Sequence, residues 1–210
     1  MAAAHGCAFF AILLAVNVGL PSLRWPWYLA VPLFAYGGLV LIVGPMRRTA
    51  PTLTLGLAGG IRLAGAVVLA LTSSGTLLAF QALFQPDLTE LSRLLPLEWF
   101  GNLLVAGVCF SIVNALLEEI IFRGVVWEVV AEEWNSGIAL VATSALFGLG
   151  HLNGYPPGPF GAVMAGLYGL CLGGLRWWTG GIGLATACHV CADATIFRIL
   201  AASGALDGPK

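Results

Sequence analysis

The sequence predicts an all-α fold, a polytopic transmembrane helix bundle forming one domain over residues 1–210. Three observations predict it. The chain is 59% hydrophobic and 9% charged, with a mean hydropathy of +0.94, whereas an ordinary soluble domain is roughly 25% charged. Apolar runs recur along its whole length, and a spanning helix needs about 20 such residues, so the chain has room for about seven spans, roughly six to eight, and little else. The runs are parted by short segments rich in Pro, Gly and interfacial aromatics rather than by anything long enough to fold separately.

Taken in order, Ala2 to Leu20 is a first span, without the basic start or clear cleavage site of a signal peptide. Pro21 to Pro26 breaks it, and Trp25, Trp27 and Tyr28 are interfacial anchors. A second span runs from about Tyr28 to Val43. Thr52 to Gly60 is short and Gly-rich, either a re-entrant piece or the front of a third span that continues from Leu63 to Phe84. Gln85 to Glu98 is the most polar loop of the first half. It divides N-terminal spans without motifs, residues 1–98, from a motif-bearing catalytic core, residues 99–200. The fourth span runs from about Trp99 to Ile121 or further, and Glu128, Glu132 and Glu133 then form an acidic loop or a helix end in water. Ser136 to Gly150 is a fifth span. Phe160 to Leu175 is a sixth, where Gly161, Gly166, Gly169, Gly173 and Gly174 permit close helix contact. Gly183 to Leu200 is the seventh.

A net charge of −1 and nine scattered basic residues exclude a nucleic-acid-binding surface. Arg47, Arg48, Arg62, Arg123 and Arg176 fall on the N-terminal side of a seven-span arrangement, against Arg24, Arg93, Arg198 and Lys210, which leans toward a cytoplasmic N-terminus. Five cysteines without dense spacing do not make a disulfide framework.

Against this apolar background the few polar groups stand out. Asn114-Ala-Leu-Leu-Glu118-Glu119-Ile-Ile-Phe-Arg123 puts two carboxylates and an arginine inside the fourth span. Glu119 and Arg123, four apart, share a helical face as an ion pair. Glu118 is rotated about 100° away and left free for another role. His151 ends the fifth span one turn beyond Phe147, and His189 and Asp193 share one face of the seventh. Each of these groups is costly in hydrocarbon, and an intramembrane ionisable residue is read as functional by default. Plainer readings exist: a structural Glu119–Arg123 pair, an interfacial His151, and a mutually satisfied His189–Asp193 pair. What favours function is that the groups recur in consecutive polar segments and can satisfy one another in one cavity.

Two chemistries fit. In metal-free hydrolysis, a desolvated Glu118 is general base to a water that His151 orients, and His189 donates to the oxyanion. Alternatively, the histidines and carboxylates are ordinary zinc ligands, although no HExxH is present and Cys188 and Cys191 are more simply packing residues. A transporter or immunity protein with a proton relay in the same cavity is a third class.

Glu118-Glu-Ile-Ile-Phe-Arg123, Phe147-Gly-Leu-Gly-His151 and His189-Val-Cys-Ala-Asp193 match EExxxR, FxxxH and HxxxN with Asp in the last place. In that order, on successive apolar segments, they resemble the CPBP family of CAAX prenyl proteases and bacteriocin-processing proteins, also called Abi, over roughly Leu103 to Leu200. The resemblance implies a glutamic intramembrane endopeptidase without a cofactor. In it, Glu118 and His151 activate water, His189 and Asp193 form the oxyanion hole, and Glu119, Arg123 and Phe147 support the site. Asp193 departs from the pattern, because an ionised aspartate cannot donate as asparagine does. Either it is protonated, or it accepts a hydrogen bond from His189 and fixes its tautomer, the second being favoured. The implied partners are membrane lipids and a protein or peptide cleaved at or within the membrane, such as a CAAX tail, a bacteriocin leader or a sorting signal. The short, Ala-, Gly- and Leu-rich chain suggests a prokaryotic plasma membrane.

Overall fold

The computed structural model describes residues 1–206, and among them there is no strand. Lys210, counted above for orientation, lies outside the described residues. The helices are α1 (Ala2–Gly19), α2 (Trp27–Ile42), α3 (Gly44–Arg48), α4 (Gly60–Phe84), α5 (Thr89–Ser92), α6 (Leu103–Glu119), α7 (Trp127–Glu133), α8 (Ser136–Gly150), α9 (Gly158–Thr179) and α10 (Gly183–Leu206). A π-helical stretch, Ile120–Val126, joins α6 to α7 without a break.

Five stretches are long and apolar enough to cross a membrane: Ala2–Gly19, Gly60–Phe84, Leu103–Glu133, Gly158–Thr179 and Gly183–Ser203. The expected second and fifth spans are the shorter apolar helices Trp27–Ile42 and Ser136–Gly150. At 1.5 Å per residue they reach only about 24 Å, less than the roughly 30 Å hydrocarbon core. Outward-facing Leu14, Phe34, Leu71 and Leu104 are exposed, as a lipid-facing surface requires.

The fourth span is longer than its minimum, because the wide π turns carry the helix past Arg123 to Glu133. Glu132 and Glu133 are therefore at a helix end, where Glu133 accepts from the backbone N–H of Ala3 at 2.7 Å, whereas Glu128, expected with them, lies within the continuous helix and pairs with Arg176 of α9. Helix α4 begins at Gly60, so the Gly-rich piece before it is not the front of that span. It is a separate extended segment that pairs with the α9–α10 turn through Leu57 N to Thr179 O (2.8 Å), Ile182 N to Thr54 O (2.9 Å) and Gly183 N to Leu55 O (3.0 Å). Contact is so close there that a Cβ on Gly56, at φ +78°, would stand 2.7 Å from Gly181 N.

Helix α10 is the organising element. It packs on α4, α6 and α9, while α9 packs closely on α8. The glycine stripe of α9 explains that second contact. A Cβ on Gly169 would meet Ser144 Cα at 3.1 Å, and one on Gly173 would meet Leu140 Cδ1 at 2.6 Å. On the facing helix, a Cβ on Gly148 would come within 2.6 Å of Ala162 O. Gly174, expected to join this contact, faces open space instead: its neighbour Gly173 holds the contact face, and one residue along a helix turns about 100° away. Apolar clusters surround the polar centre: Leu77, Ala106, Tyr155 and Phe197 on one side, Phe9, Tyr36, Ile121 and Val125 on another, and Ala66, Leu172, Ala185 and Cys188 on a third.

Candidate active site

Helices α6, α8 and α10 bring the polar residues of the three motifs together. Glu119 and Arg123 are completely buried and joined by Nη1 to Oε1 at 2.7 Å. The same Glu119 Oε1 lies 2.8 Å from His189 Nδ1, so one carboxylate oxygen receives a donor from its own helix and another from α10. Arg123 also donates through Nη2 to the carbonyl of Gly169 at 3.1 Å, which the missing side chain of Gly169 allows it to approach. A buried guanidinium is tolerable only when paired and hydrogen-bonded in this way.

Phe147 is the packing centre of the site. Its ring lies 4.6 Å from the Arg123 guanidinium carbon, 4.3 Å from the His151 ring and 5.5 Å from the His189 ring, measured to ring centroids. His151 caps α8 and points Nδ1 at the carbonyl of Phe147, 2.8 Å away. Accepting carbonyl and imidazole together require Nδ1–H, which leaves Nε2 facing the site.

Glu118, on the neighbouring face of α6 as its rotation demands, meets both histidines. Its Oε2 is 3.6 Å from His189 Nε2 and 3.9 Å from His151 Nε2, and this buried oxygen has no hydrogen-bond partner in the protein. Its Oε1 accepts from Asn114 Nδ2 at 3.2 Å.

Asp193 is not held as the sequence suggested. Of the two ring nitrogens of His189, Nδ1 is engaged by Glu119, and Nε2 is 3.7 Å from Asp193 Oδ1, beyond hydrogen-bond reach. Asp193 Oδ2 accepts instead from Asn114 Nδ2, at 3.2 Å. The sequence motifs assign Asn114 no role. Its spacing of four before Glu118 was the one sign in the sequence that it shares the Glu118 face.

A cavity of about 260 Å³ adjoins these groups, between α4, α9 and α10, with His151, His189 and Asp193 on its wall. It exceeds the 150 Å³ apolar cavity that admits benzene. Its other lining is largely apolar, Leu69, Met164, Ala165 and Ile196 among it, with Thr72, Ser73 and Thr76 supplied by α4. Glu118 is not on that wall; its carboxylate meets the histidines that are.

Cys188 and Cys191 do not join the site. Cys188 is buried with Sγ donating to Ala66 O of α4 at 3.2 Å, and Cys191 is exposed. Among the described residues, no group of three or more His, Cys, Asp or Glu side chains is arranged to hold a metal ion.

Residues 100–195 match the family model described as Rce1-like, type II CAAX prenyl endopeptidase. The motif-bearing part of this chain is similar to the Rce1-like family. The match spans α6 to the middle of α10 and includes Asn114 and every residue of the three motifs, while the cavity residues of α4 and Ile196 lie outside it. Comparison with the curated proteins and with the solved structures returns no match. With five stretches long and apolar enough to cross a membrane, the chain is an integral membrane protein whose core is similar to a family of endopeptidases.

Proposed function

We propose that this protein is a glutamic-type intramembrane endopeptidase. The observation that carries the reading is the orphaned Oε2 of Glu118, buried and flanked by the Nε2 atoms of His151 and His189 at 3.9 and 3.6 Å. A buried oxygen at such spacings has its hydrogen-bonding demand met by a bridging water. In the proposed reaction Glu118 takes a proton from that water as its oxygen attacks the scissile carbonyl carbon, and His151 orients the water. The amide π electrons move to the carbonyl oxygen, and His189 Nε2–H stabilises the resulting oxyanion. The proton held by Glu118 then passes to the departing amine nitrogen as the C–N bond breaks. Because His189 also gives Nδ1–H to Glu119, donating from both nitrogens requires its imidazolium form.

Asp193 lines the same wall and acts beside the oxyanion rather than as its donor. Glu119, Arg123 and Phe147 hold the histidines in place. The N-terminal spans serve as scaffold to the core of residues 99–200. The substrate class is a protein or peptide cleaved at or within the membrane, for which the family description favours a CAAX-type tail over a bacteriocin leader or sorting signal. A prokaryotic plasma membrane is the proposed location.

The test uses purified protein with a quenched fluorescent peptide ending in a farnesylated CAAX sequence. Cleavage should be abolished by Glu118→Ala and spared by a chelator. Chelator-sensitive cleavage would instead make the protein a zinc metalloprotease, and ion-coupled flux without cleavage a transporter.

A further inference from the structure

Asn114 is joined to a residue from outside the family match. Trp25, in the turn between α1 and α2, has its Nε1 3.0 Å from Asn114 Oδ1. An indole N–H can only donate, so it decides which way the Asn114 amide points. With the oxygen taken by Trp25, the NH2 is turned toward Glu118 Oε1 and Asp193 Oδ2, each at 3.2 Å, and its two hydrogens match these two acceptors. A flipped amide would instead set its oxygen against both carboxylates and its NH2 against the indole N–H. The indole is itself fixed independently, its ring centroid 5.0 Å from that of Phe110 and 6.3 Å from that of Trp99. Asn114 is buried, so water does not readily substitute for any of these bonds.

We propose that Trp25 and Asn114 form a positioning clamp in which the indole orients the amide and the amide sets the separation of Glu118 and Asp193. The clamp places an N-terminal turn in direct control of the core site. Its kinetic consequence rests on the protease reading, but the clamp itself does not.

Two measurements test it. The first needs no substrate: thermal unfolding of wild type, Trp25→Phe, Asn114→Ala and the double variant. Phenylalanine keeps ring packing against Phe110 and removes only the donor, so the expected result is that the double variant melts no lower than the worse single variant. Additive losses would overturn the clamp.

The second is cleavage of the farnesylated peptide. Trp25→Phe should lower kcat about tenfold, the scale of one neutral hydrogen bond, at unchanged KM. Asn114→Asp should lose cleavage by clustering carboxylates, and the swap Asn114→Asp with Asp193→Asn should restore a measurable part of it by returning an amide donor between the two positions. Wild-type kinetics in Trp25→Phe, or no rescue by the swap in a protein that still folds, would overturn the positioning role. If Glu118→Ala cleaved like wild type, or wild type cleaved nothing, the protease reading would fall, and the unfolding cycle would still decide the clamp.

Discussion

His189 gives its Nδ1 to Glu119, 2.8 Å away on another helix, and not to Asp193 one turn along its own. This assigns the two adjacent glutamates different tasks. Each has one buried oxygen without a partner, but Glu119 is the anchor of Arg123 and His189 through Oε1, whereas the open Oε2 of Glu118 stands between the Nε2 atoms of His151 and His189. Glu119→Ala should therefore destabilise the fold by about 3–5 kcal/mol, because it strands the buried Arg123 charge. Glu119→Gln keeps the shape and should fold, yet cleave at least about tenfold more slowly, since His189 loses the carboxylate that holds it. Thermal unfolding and kcat measured on both variants separate the two effects; a folded Glu119→Gln protein with unchanged kcat would remove Glu119 from the site.

Asp193 offers a second check. It accepts from Asn114 and stands 3.7 Å from His189 Nε2, near where an oxyanion would form. Like charge there opposes the transition state. Asp193→Asn can still accept from Asn114 through its amide oxygen and gains an NH2. Cleavage should be retained or raised. Complete loss in a folded variant would count against an oxyanion-side role.

The motif residues were legible because ionisable groups in an apolar chain have few places to go, and spacings of four fix which of them share a helical face. That logic placed Glu119 on Arg123 and set Glu118 apart. It failed where a partner was chosen by tertiary contact instead. Helical spacing brings His189 and Asp193 near one another, but the fully buried Glu119 offers the shorter bond. Trp25 read as a generic interfacial anchor, since nothing local marks an indole as the partner of an amide 89 residues away. The π-helical turns after Glu119 were unseen for a similar reason. Ile120 to Val126 has the composition of any apolar span, and nothing in it marks a widened turn.

The α8–α9 contact can be probed by contrast. Gly148 has no room for a Cβ, which would come within 2.6 Å of the backbone oxygen of Ala162, whereas Gly174 has nothing within 4 Å. Gly148→Ala should push the helices apart at a cost of about 1–3 kcal/mol, in the range of overpacked cores. It should also slow cleavage, because α8 carries His151. Gly174→Ala should be neutral or stabilising by up to about 1 kcal/mol, the helix-propensity difference between the two residues. Unfolding in detergent measures both; equal effects would mean that α9 does not pack on α8 through this stripe.

The cavity makes the last prediction. Thr72 lines it from α4, as His151 and His189 do from α8 and α10, and the rest of the lining is largely apolar. A substrate segment seated in it would lose room if Thr72 became Phe, while Glu118 and its hydrogen bond to Asn114 are not on the cavity wall. Thr72→Phe should therefore raise KM severalfold and leave kcat nearly unchanged, the pattern of lost ground-state binding. Equal losses in kcat and kcat/KM would place the cavity in the chemical step, and unchanged kinetics would mean that the substrate reaches Glu118 from another side of the bundle.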